Sequence, residues 1–148
     1  MRDSSAIDIL IEKLSLYPAI KLERVNEVCL KIYGDETGYD FELHEGLKEY
    51  LLYFGNSHGH YNKAQDVQEM LRDIFFGLSG VSRIKEVLKD GKHYEWVTQS
   101  QDSEGNWFDN EKVSILGFSF WRKSAPVIEE RYYQNNLLPK EVALAWCK

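Results

Sequence analysis

The sequence predicts an α+β fold. A small antiparallel β-meander over about residues 28–54 packs on a long helix over about residues 62–89, with further helices at the N- and C-terminal ends. Three observations predict it. Val67, Met70, Leu71, Ile74, Phe75, Leu78, Val81, Ile84 and Leu88 recur at steps of one, three or four, the spacing of one helix face. Tyr39, Phe41 and Leu43 alternate with Asp40, Glu42 and His44, the period of a half-buried strand. A chain of 148 residues, 43% hydrophobic and 28% charged, suits one domain spanning 1–148 with a real core.

Taken in order, residues 5–17 read as a first helix. Ser5 and Asp8 make a capping-box pattern, Ile7, Leu10, Ile11 and Leu14 form its stripe, and Pro18 ends it. Residues 21–27 are ambiguous. Residues 28–33, 39–43 and 47–54 read as three strands with short turns between them. Residues 55–61 read as a polar loop. Asn62 with Gln65 reads as the start of the long helix and Asp90-Gly91 as its stop. Gly77 and Gly80 each weaken its middle by roughly 1 kcal/mol relative to Ala, which predicts a kink or a break near Leu78. Beyond Gly91 the pattern fades, and residues 101–106 read as a loop by composition. Residues 112–123 fit a strand through Ser114, Leu116, Phe118 and Phe120, or a helix through Val113, Leu116, Phe120 and Trp121. Pro126 predicts a helix over residues 125–135, and Pro139 opens a last short helix through Val142, Leu144 and Trp146.

The net charge of −6 argues against nucleic acid as a direct ligand and permits a basic protein partner. No apolar run reaches the ~18 residues of a membrane helix, and the first residues lack a signal-peptide layout, so a cytoplasmic protein with no membrane partner is expected. Cys29 and Cys147 read as free thiols.

No nucleotide-binding, hydrolase or metalloprotease motif occurs, so no catalytic residue, cofactor or metal site is expected. His58-Gly59-His60 is short of the ligands a zinc site needs. An enzyme using those histidines as acid and base, or a non-catalytic adaptor domain, remain the other readings. Asp102, Glu104, Asn106, Asp109 and Glu111 resemble a calcium loop, but Gly105 falls too early for its turn. The charge distribution is more informative. Six carboxylates between Asp35 and Glu49 face Lys48 alone, and six between Asp90 and Glu111 face Lys92 alone. In the second stretch they flank two aromatics. Asp102, Glu104, Trp107, Phe108, Asp109 and Glu111 therefore form the candidate partner-binding patch, with aromatics to anchor and charges to steer. The other reading of Trp107 and Phe108 is that they pin the loop to the core.

Residues 47–86 carry a resemblance. The strand KEYLLYFGNSHGHY and the helix DVQEMLRDIFFGLSGVSRIKE, with Asp66, Glu69, Met70, Leu71, Ile74 and Phe75 on the pattern, resemble the immunity proteins of bacterial polymorphic toxin systems, most closely the immunity protein 63 family. The later stretch EKVSILGFSFWRKSAPVIEERY is similar in layout and favours the helix for residues 112–123. The resemblance implies a non-catalytic antidote that neutralises a cognate, basic toxin domain by direct stoichiometric binding.

Overall fold

The structure, a computed structural model, describes residues 5–55, 57–114 and 127–145. It is mostly β, and this corrects the predicted α+β architecture. Helix α1 (Ala6–Leu14) leads into an antiparallel meander of β1 (Lys21–Asn26), β2 (Cys29–Tyr33), β3 (Phe41–Glu45), β4 (Glu49–Phe54) and β5 (Ser57–Asn62). Helix α2 (Val67–Ser79) follows. A second antiparallel sheet is built from β6 (Ser82–Lys89), β7 (Lys92–Gln101), β8 (Trp107–Ser114) and β9 (Ile128–Tyr133), in the order β8-β7-β6-β9. Helix α3 (Lys140–Leu144) closes the described chain.

Alternation builds the first sheet's core face. Leu30, Leu43 and Leu52 are register partners across β2, β3 and β4, and all are buried. With Ile32 and Phe41 they meet Ile7, Leu10 and Leu14 of α1 and Met70, Leu71, Ile74, Phe75 and Leu78 of α2. Truncating any of the buried leucines costs about 2–5 kcal/mol.

The predicted helix over residues 62–89 is two elements. Helix α2 stops at Gly80, whose φ of 83° is the left-handed conformation of a helix C-terminus. Its last carbonyls find partners outside the helix. Leu78 O accepts from Leu137 N at 3.0 Å, Gly77 O from Asn135 Nδ2 at 3.2 Å, and Gly80 O from Gln134 Nε2 at 2.8 Å. The chain then extends. Ile84, Glu86 and Leu88 point to one face of β6 and Arg83, Lys85 and Val87 to the other. Ile84 and Leu88 are four apart, so they satisfy a helical period and a strand period together.

Other elements also differ from expectation. Residues 57–61, read as loop, and Asn62, read as the start of the long helix, form β5, and residues 21–26 of the ambiguous stretch 21–27 are β1. The helix expected over residues 125–135 is replaced by β9, whose Tyr133, Arg131 and Glu129 pair with Ile84, Glu86 and Leu88. Lys112 to Ser114 belong to β8; the rest of the helix favoured over residues 112–123 lies outside the described residues, as do Pro126, Trp146 and Cys147.

Candidate binding cleft

A cleft of about 460 Å³ opens between the first sheet, the flank of α2 and one face of the second sheet. Its first wall is aromatic. Phe41 and Phe54 are cross-strand partners with ring centroids 6.3 Å apart, and Tyr39 lies 5.2 Å from Phe41. Helix α2 contributes Glu69, Arg72, Asp73 and Phe76, which the 3.6-residue period sets on one flank. The second sheet contributes Ser82, Ser100 and Phe108, which follow one another in register across β6, β7 and β8. Ser82 and Ser100 share a hydrogen bond of 2.9 Å, and Asn110 Nδ2 donates to Ser100 Oγ at 2.6 Å.

Asp73 is the electrostatic centre of the cleft. Burial pushes its carboxyl above the usual range, while a hydrogen bond from the Tyr61 hydroxyl at 2.8 Å and the neighbouring Arg72 pull it back. Arg72 lies 3.7 Å from Asp73 and 3.8 Å from Glu69, so one guanidinium serves two carboxylates. Burial likewise raises the Tyr39 phenol, which stays protonated. Aromatic faces attract cations, and a carboxylate set among them adds a charge partner. The arrangement can seat an ammonium or guanidinium group.

The patch expected from sequence is only partly gathered by the fold. Strand alternation puts Trp107 and Asp109 on one face of β8 and Phe108 on the other. Trp107 stacks on Arg83, 3.9 Å from the guanidinium to the ring centroid, and Tyr132 covers Arg83 with the centroid at 4.2 Å. Arg83 Nε donates to Gln99 Oε1 and Gln99 Nε2 to Asp109 Oδ1, both at 2.8 Å. The bond from Gln99 and the charge of Lys112 hold the Asp109 carboxyl below its ordinary range. Asp102 accepts from the backbone N–H groups of Asn106 and Glu104, each at 2.9 Å, and these keep it ionised to lower pH than usual. Its carboxylate shapes the β7–β8 turn, where Gly105 takes φ 88°. Glu104 sits exposed in that turn. The Glu111 side chain lies outside what is described. Phe108, 49% exposed, is the member of the patch that lines the cleft.

His58 and His60 lie on β5 and point to solvent from the outer face of the first sheet; His60 Nδ1 is 3.1 Å from Glu49 Oε1. On the same face Cys29, Glu42 and His44 bring a thiol, a carboxylate and an imidazole together, the one grouping with metal-ligand chemistry among the described residues. Sequence reasoning missed Asp73, Tyr61 and the cleft's serines. Asp73 looks like any solvated position on an amphipathic helix, and the serines meet only when β6, β7 and β8 pair. No family model matches the chain, and no curated protein or solved structure matches it.

Proposed function

We propose that the protein is a stoichiometric inhibitor of the immunity type, which binds a basic toxin domain and takes one of its lysine or arginine side chains into the cleft. One observation carries this reading: Asp73, a half-buried carboxylate, shares an aromatic-walled cleft with Phe108, an exposed aromatic from the acidic β7–β8 hairpin. The cleft supplies an anchor point, and the hairpin carboxylates Asp102 and Glu104 steer the partner towards it. The net charge of −6 favours the same class of partner. Among the described residues no helix is long and apolar enough to cross a membrane.

The test is co-purification with the product of the adjacent upstream gene, followed by titration. The expected result is a 1:1 complex of nanomolar affinity that Phe108→Ala weakens by about thirtyfold or more, the loss of roughly 2 kcal/mol or greater that marks a hot spot. Wild-type affinity in a folded Phe108→Ala variant removes the cleft from the interface. No complex with any neighbouring product removes the antidote reading itself.

A further inference from the structure

We propose that Cys29, Glu42 and His44 form a zinc-binding site on the outer face of the first sheet. Cys29 on β2 and His44 on β3 are cross-strand partners, and Glu42 precedes His44 by two residues on the same strand. All three side chains therefore leave the sheet on one side at nearest-neighbour spacing. Cys29 Sγ lies 3.8 Å from Glu42 Oε1 and 3.9 Å from His44 Nε2, and those two atoms are 2.8 Å apart. Tetrahedral zinc, with bonds of about 2.3 Å to sulfur and 2.0–2.2 Å to nitrogen and oxygen, needs donor separations of roughly 3.4–3.6 Å. The observed triangle differs by a few tenths of an ångström on its sulfur edges. Its short edge is a histidine–carboxylate hydrogen bond, which widens when an ion takes the place of the shared proton.

The donor chemistry selects the ion. A thiolate with an imidazole suits zinc and disfavours calcium or magnesium, which take oxygen. Cys29, 4% exposed, forms the buried base of the site. The His44 and Glu42 side chains are 40% and 43% exposed and flank the approach from solvent. On binding, the thiol releases its proton to solvent and His44 ligates through an unprotonated Nε2. Three protein donors leave a fourth position open to water. The site is hidden in the sequence because Cys29 is 13 and 15 residues from its partners, and only the β2–β3 pairing brings them together. His58 and His60 share the face but not the site, since Leu51 stands between His44 and His60 in the row across β3, β4 and β5.

The experiment titrates the intact protein with Zn²⁺ by calorimetry and with Co²⁺ by absorbance. The expected result is one ion per chain and a thiolate-to-cobalt band in the near ultraviolet. Cys29→Ser abolishes that band. The exposed changes Glu42→Gln and His44→Gln keep the native circular dichroism and weaken binding by more than the roughly 10–100-fold that loss of an outer-sphere partner costs. A His58→Ala, His60→Ala variant binds like wild type. The proposal is overturned if no ion binds at micromolar concentration, if cobalt binds without the thiolate band, or if binding survives His44→Gln and disappears with His58 and His60.

Discussion

Asn135 is fully buried and uses every bond its amide can make. Its Oδ1 accepts from Asp35 N and Tyr39 N at 3.1 and 3.2 Å, and its Nδ2 donates to Tyr39 O and Gly77 O at 3.0 and 3.2 Å. One side chain thus ties the β2–β3 loop, the end of α2 and the segment after β9. Asn135→Ala strands several of these backbone groups, each worth about 1–3 kcal/mol when left buried and unpaired. A fall in the urea midpoint equivalent to more than 2 kcal/mol is expected, and a shift within 0.5 kcal/mol, about what a surface change produces, would show that the amide is dispensable. Asp73 behaves in the opposite sense. Its carboxyl is raised in the folded state, so the fold binds that proton more tightly than the unfolded chain does. Its contribution to stability is favourable below the ordinary aspartate range and declines as pH rises through the raised value. Asp73→Asn keeps an acceptor for Tyr61 and removes the desolvated charge. At neutral pH this variant is expected to unfold at equal or higher urea than wild type, while losing affinity for the cationic partner. Lower stability at neutral pH would contradict the sign.

Helix α2 shows what glycine decides. A Cβ on Gly77 would come within 2.3 Å of Phe41 Cζ and 2.9 Å of the Tyr39 hydroxyl. The roughly 1 kcal/mol gained in helix propensity by Gly77→Ala is therefore outweighed by overpacking of about 1–3 kcal/mol, and net destabilisation is expected in chemical denaturation. A stabilised variant would show that the helix and β3 separate freely. Gly77 and Gly80 were legible as a kink or break near Leu78, and α2 ends there, but neither the close approach at Gly77 nor the strand that follows was legible. The reason lies in residues 81–88: Val81, Ile84 and Leu88 continue the stripe of α2, and only backbone pairing of Ile84 with Thr98 and Tyr133 chooses the strand. Strand β3 was readable because apolar and charged residues alternate along it, and β2 and β4 because they are short apolar runs bounded by turns, β4 with apolar groups on both faces. Strand β7 was not, because its buried positions include Gln99 and Ser100, polar groups satisfied by Arg83 and Asp109 or by Ser82 and Asn110.

The two sheets create what neither carries alone. The cleft takes its aromatic wall from the meander, Glu69, Arg72 and Asp73 from α2, and Arg83 with the serines from the second sheet. Acidic character and a surplus of aromatics, 14% of the chain, were visible from composition. The choice of Phe108 and Asp73 over Trp107 and Asp109 was not, because it depends on which face of β8 meets the first sheet. Trp107 is committed to Arg83 and Asp109 to Gln99, and both support the second sheet from its far side. A partner drawn in by the carboxylates is expected to bind less tightly as salt rises, since exposed charges are screened over about 8–10 Å near physiological ionic strength. The contact with Asp73 inside the cleft is screened less. The affinity of the complex, measured by calorimetry for wild type and Asp73→Asn at low and high salt, tests the account most directly. Weaker binding of Asp73→Asn is expected at both salt concentrations, with wild-type affinity falling as salt rises. Equal affinities for the two proteins at both concentrations would contradict it.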